Sequence, residues 1–270
     1  MTSATPVLVR TAALLFALLW VLVLWLGVPK DADAVFSWHA FLIDSENPMW
    51  PLSVQVVMWF GFFYSMAELL LRWLYVLREE ASVARFDVRQ PRNLRLADGQ
   101  EIVLAEDEML KPEIMAALGR ARQAMPGGRD SMIGAMFAVI NNQFQSTRDI
   151  GDVYNVVTAR MDLELHKVDL GYTVVRYLAW LIPTLGFIGT VIGLAQALGV
   201  AGQNSQSQDL LRLIVPSLGT AFYTTLLALL LAALVVVGMQ FIQAREERVV
   251  NAVGRYCIDR IVSELYVSRQ

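Results

Sequence analysis

The chain has 270 residues, of which 56% are hydrophobic and only 17% charged, and its formal net charge is -3. That balance is too apolar for an ordinary water-soluble domain and offers no basic excess for nucleic acid, so the chain reads as an integral membrane protein without a nucleic-acid partner. Its single cysteine, Cys257, excludes an internal disulfide and reads as a small apolar filler.

Four apolar runs follow in chain order, at residues 7–28, 52–77, 172–200 and 210–242. Each reaches the roughly 20 residues that a helix needs to span hydrocarbon. The first is followed by Ala32-Asp33-Ala34, an A-x-A cleavage pattern. It is nevertheless longer than the apolar core of a leader and carries Trp20 and Trp25, so it reads as a span. Trp38, Trp50, Trp59, Trp73 and Trp180 read as anchors near the membrane boundaries. Apart from Lys30 and Arg212, every lysine and arginine lies at Arg10, after Leu71 or beyond Ile242. Cytoplasmic flanks retain such residues, so both termini are expected inside, with two short outer loops. Within the second span Glu68 stands one turn before Arg72, a spacing that predicts a structural ion pair, the alternative being a proton exit or a subunit contact.

The segment after the second span begins with residues 93–104, NLRLADGQEIVL, which alternate around Asp98-Gly99 and predict a short β-hairpin read as a surface turn. Pro112 opens a predicted helix that Pro126-Gly127-Gly128 stops. A second helix restarts near Asp130, with apolar positions at Ile133, Phe137, Ile140, Phe144, Ile150, Val153 and Val157. No proline follows until Pro183, so one long helix is expected to run into the third span and couple the soluble part to the membrane. Asp107, Glu108, Glu113, Arg120 and Arg122 form a mixed-charge surface that reads as solvated. The fold class is therefore an all-α integral membrane protein: four transmembrane helices and a cytoplasmic helical insertion carrying the hairpin. Residues 1–78 hold the first two spans and their outer loop, 79–171 the cytoplasmic domain, 172–242 the third and fourth spans, and 243–270 a cytoplasmic helix or tail.

The chemistry concentrates in the last two spans. Residues 183–194 read PTLGFIGTVIGL, and residues 219–229 read GTAFYTTLLAL. Helical spacing sets Thr190 on a stripe with Gly186, Gly193 and Ala197, and sets Thr225 on one with Ala221, Ala228 and Ala232. Small residues let helices approach closely, so each stripe predicts a packing seam that carries a hydroxyl, with Thr224 beside it. The bland alternative is a hydroxyl bonded to its own backbone carbonyl, which is also the reading of Thr220. Tyr223 reads as an interhelical contact, and Gln196 and Gln240 as snorkelling side chains. Neither span contains Asp, Glu, His or Lys, so these helices cannot by themselves pass a proton from group to group. His39 and His166 have no paired ligands for a metal, and no nucleophile with a base or phosphate-cradling loop is present, so no metal, cofactor or enzymatic activity is expected.

Taken in order on adjacent spans after a long insertion, the two motifs resemble the paired pore helices of the MotA/TolQ/ExbB proton-channel family. The resemblance covers about residues 172–237 and leaves the subfamily open, because the four-span layout is similar to MotA and the helix motifs to TolQ and ExbB. It implies a bacterial inner-membrane protein, multi-pass, forming a homopentamer around a dimer of a single-span partner like MotB, TolR or ExbD, whose helix carries an aspartate. It implies that Thr190 and Thr225 are pore threonines and that Pro183 and Gly189 shape the third helix, within a packing set of Pro183, Gly186, Gly189, Gly193, Ala197, Ala221 and Ala228. The transported ion is then a proton or sodium, and flow turns the ring relative to the partner. A proton crossing 100 mV releases about 2.3 kcal/mol, enough to shift a few side-chain contacts. A scaffold that anchors a partner without conducting is the alternative.

Overall fold

The computed structural model describes residues 4–27, 41–43, 53–85, 93–95, 101–103, 131–147, 149–203 and 209–262. Its helices are α1 (Ala4–Gly27), α2 (Val54–Arg85), α3 (Met132–Thr147), α4 (Ile150–Gly171), α5 (Thr173–Gln203) and α6 (Leu210–Tyr256), followed by a π-helical segment at Cys257–Val262. Two three-residue strands, β1 (Asn93–Arg95) and β2 (Glu101–Val103), pair antiparallel, with Arg95 opposite Glu101. The Asp98-Gly99 turn and the helix expected after Pro112 lie outside the described residues. Among those described, four helical runs are long and apolar enough to cross a membrane: α1, α2, α4 with α5, and α6. The protein is a helical, multi-pass membrane protein. Its chain divides into two compact units, Met1–Arg72 with Tyr172–Phe241, and Trp73–Gly171 with Ile242–Gln270.

In the first unit α1 meets α2 through aromatic rings. Phe16 stands edge-on to Phe63 at 5.1 Å, Trp20 meets Trp59 at 5.7 Å, and Trp59 stacks on Phe63 at 5.7 Å. Trp59 is buried, and its indole N–H donates to Leu42 O at 2.9 Å, so it packs in the unit's interior where an interfacial anchor was expected. Gln55 Nε2 donates to Phe41 O at 3.1 Å, tying residues 41–43 to the start of α2. Gly61 faces Ile182 and Leu178 of α5, and Gly238 of α6 faces Leu69 of α2. Leu15, Leu198 and Phe222 are examples of large apolar side chains left more than two-thirds exposed, at 69%, 74% and 69%. Such a surface is stable against lipid or against other apolar helices, and costly in water.

In the second unit the seven apolar positions read from the sequence between Ile133 and Val157 are all buried, and they share a core with Val168, Val249, Val250, Val253 and Cys257. Hydrophobic burial there orders helices that would be marginal alone. The expected single helix is interrupted. Helix α3 ends at Thr147 and α4 starts at Ile150, because Asp149 takes the cap: its Oδ1 accepts Gly151 N–H at 2.8 Å and its carbonyl accepts Val153 N–H at 3.3 Å. Beyond Asp149 the expected continuity into the third span holds: Tyr172 is a single turn residue within a helical run from Ile150 to Gln203, and Arg176 N–H bonds Tyr172 O at 2.9 Å.

Candidate functional site

Helices α5 and α6 form an antiparallel pair whose contacts run in reverse chain order. A β-carbon at Gly186 would stand 2.5 Å from Ala228 Cβ; one at Gly189, 2.5 Å from Thr224 Oγ1; and one at Gly193, 2.8 Å from both Ala221 Cβ and Ser217 O. No side chain larger than hydrogen fits those gaps without displacement, so the three glycines, all buried, set how closely the helices approach. Thr224 is buried at 3% exposure and fills the recess that Gly189 leaves. Ala197, Ala221 and Ala228 are buried along the same line. Ser217, not singled out by the sequence reading, meets Gly193 through its backbone, which no side-chain pattern reveals.

The hydroxyls lie in and beside this seam. Thr225 Oγ1 donates across it to Gly186 O at 3.3 Å, and also back to Ala221 O at 3.3 Å. Thr224 Oγ1 donates to Ala221 O at 3.0 Å and Thr190 Oγ1 to Phe187 O at 2.7 Å. Thr190 and Thr225 are half-buried. Each stands about one-fifth of a turn or less from a glycine or alanine of the seam, and in an antiparallel pair these two positions fall on the same edge. Every one of the three hydroxyl protons is committed to a backbone carbonyl. Thr224 is enclosed in the seam, so what Thr190 and Thr225 present outward is oxygen lone pairs, acceptors for a water or an acid, and no donor.

Pro183 removes from α5 the backbone donor that would bond Ala179 O, and the neighbouring Thr184 hydroxyl makes a separate local bond to Leu181 O at 2.6 Å. In α6 the Thr220 hydroxyl donates to Pro216 O at 3.3 Å, the local bond expected of it.

Glu68 has a partner that the sequence reading did not name. Arg10 of α1 holds it with two bonds, Nε to Oε1 at 2.5 Å and Nη2 to Oε2 at 3.2 Å, while the Arg72 guanidinium lies 4.5 Å over the Tyr172 ring. The sequence signal for this pair is a cation in the first apolar run and an acid in the second, both near the end expected to face the cytoplasm, and it does not specify that the two meet. Two charges at that depth are less costly together than apart. Among the described residues no three His, Cys, Asp or Glu side chains gather as a metal would need.

Residues 129–254, just short of half the chain, match the family model described as the MotA/TolQ/ExbB proton channel family. No curated protein and no solved structure matches the chain. The matched stretch holds α3, α4, α5, most of α6 and every residue of the glycine–threonine seam, so the likeness to the MotA/TolQ/ExbB proton channel family covers the whole candidate site.

Proposed function

We propose that this chain is the ring-forming subunit of an ion-driven membrane motor or energiser, with five copies surrounding two copies of a single-span, acid-bearing partner of the MotB, TolR or ExbD kind. The family is one of proton channels working with such partners in oligomers, which supplies the general role. The observation that carries the finer reading is the edge of the α5–α6 pair, where Thr190 and Thr225 present lone pairs on spans that contain no carboxylate or histidine. Acceptors alone cannot relay a proton. A neutral carboxyl on a partner helix can donate to them, give its proton to water on one side and take another on the other, and so complete the path. Proton or sodium flow then rotates the ring about the partner in the inner membrane, with both termini of the chain cytoplasmic.

The experiment is proton flux through the partner-bound complex carrying Thr190→Val or Thr225→Val, with Thr→Ser at each position as the hydroxyl-retaining control. A hydrogen bond to an ionised or proton-sharing group is worth about 1.5–3 kcal/mol, so each valine variant should assemble and lose flux by roughly tenfold or more, and each serine variant should keep most of it. Undiminished flux in both valine variants removes the assignment.

One observation favours the second reading, a non-conducting scaffold: all three hydroxyls already have internal partners. A co-purified single-span partner lacking an intramembrane acid would decide for it.

A further inference from the structure

Two glutamates side by side at the end of α2 have opposite surroundings. Glu80 makes a bidentate pair with Arg245 of α6, at 2.8 and 3.2 Å, and Arg245 lies 4.8 Å over Trp73. Glu79 is buried at 5% exposure, and its Oε2 accepts the N–H of Met132 at 3.0 Å, the first residue of α3. Beside that contact Ser131 Oγ accepts Gly134 N–H at 3.2 Å, the usual N-cap bond. Glu79 is thus the side chain by which α2 grips the α3 N-terminus, in the cytoplasmic segment just past the charged residue Arg78 that ends the apolar run.

Among the described residues, the charged groups on the elements around it do not favour a carboxylate there. Glu164 of α4 repels it and is itself held between Arg160 and Lys167, both at 2.9 Å. Arg245 of α6 is engaged by Glu80, and the next residue of α6 is a second buried acid, Glu246. Burial raises the Glu79 carboxyl above its ordinary value, the Met132 N–H opposes this, and Glu164 adds to the rise. The positive end of α3 favours an adjacent anion, but burial and the repulsion of Glu164 outweigh it.

We propose that the protonation state of Glu79 decides whether the N-terminus of α3 stays docked on the end of α2, the neutral acid favouring the docked state. For an acid raised on folding, the stabilisation is complete below the unfolded value of about 4.3 and is lost as pH rises from there through the folded value. The chain would then carry a bundle that tightens when a proton arrives and loosens when it leaves. The device rests on the cytoplasmic bundle alone and stands or falls independently of the threonine path.

Cys257 supplies the reporter, because it is the single cysteine and is buried in the core of the same unit. The full chain in detergent or nanodiscs is alkylated with a neutral maleimide from about pH 4.5 to 8, and the rate is compared at each pH with that of Glu79→Gln, which keeps the acceptor for Met132 and mimics the neutral acid. Dividing the two rates cancels the titration of the thiol. The expected ratio of natural chain to variant is near one at the acidic end and climbs several-fold with pH. A ratio independent of pH, or faster labelling of Glu79→Gln throughout, overturns the proposal. Hydrogen exchange at the Met132 to Met136 amides, read as the same ratio, gives the answer if either protein labels too slowly, and protection that does not separate the two proteins as pH rises also overturns it.

Discussion

Gly193 is the least replaceable residue of the seam. Its missing β-carbon would meet a backbone oxygen, Ser217 O at 2.8 Å, and the backbone nitrogen of Ala221 at 2.9 Å, whereas the obstacle at Gly189 is a side chain, Thr224. Backbone in a helix cannot step aside as a rotamer can. Gly193→Ala should therefore cost about 1–3 kcal/mol, the range for overpacking a close contact, and appear as a lower melting temperature of the detergent-solubilised chain. Gly199→Ala, on the same helix with nothing within 4 Å of the added carbon, is the control and should be neutral or slightly stabilising, since alanine is the better helix former. Equal losses at both sites would mean that the loss at Gly193 does not come from its close contact with α6. The stripe of Gly186, Gly193 and Ala197 was legible because helical spacing is local. Which atom each glycine faces was not, because the partner lies on another helix and two of the closest atoms belong to the backbone. The hydroxyl bonds divide in the same way: those of Thr190 and Thr224 to their own helix follow from a known local habit, whereas the reach of Thr225 to Gly186 depends on how the two helices meet.

Helices are shorter than the apolar pattern suggested, and the reason was present in the spacing. Apolar steps of three or four residues hold from Ile133 to Phe144 and from Ile150 to Val157, but the step of six from Phe144 to Ile150 fits no single helical face. The chain resolves the mismatch by stopping α3 at Thr147 and restarting with Asp149 as cap. Asp149→Ala should cost about 1 kcal/mol, within the 0.5–2 usual for an N-cap, and Asp149→Asn or Asp149→Ser only a few tenths. Thermal melts followed by circular dichroism would register the difference. An alanine variant as stable as the natural chain would show that burial of Ile150 and Val153, both at 7% exposure or less, orders the start of α4 without the cap. The four apolar runs were legible from length and composition alone, since hydrocarbon thickness sets the length they need. The aromatic contact of α1 with α2 and the Arg10–Glu68 pair were not, because pairing between spans leaves no mark on the periodicity of either.

For the molecule as a whole, the distribution of positive charge predicts how the chain lies in the bilayer. The stretch between α5 and α6 has no lysine or arginine before Arg212, whereas α4 carries Arg160 and Lys167. Retention of cations on the inner side then places Gln203 outside and His166 inside, one span apart. Both positions are exposed, so Gln203→Cys and His166→Cys can each be tested with a membrane-impermeant maleimide on sealed vesicles of known orientation. The native thiol will contribute little background, because Cys257 has no exposed surface and burial pushes it up to about 12, leaving almost no thiolate in the folded chain at neutral pH. The Gln203→Cys variant should label in right-side-out vesicles and the His166→Cys variant only in inside-out ones. The opposite pattern would invert the whole chain and place α3 and the Glu79 contact outside. Labelling of both from one side would mean that α5 does not cross the membrane, and the glycine–threonine edge could then line no path through it.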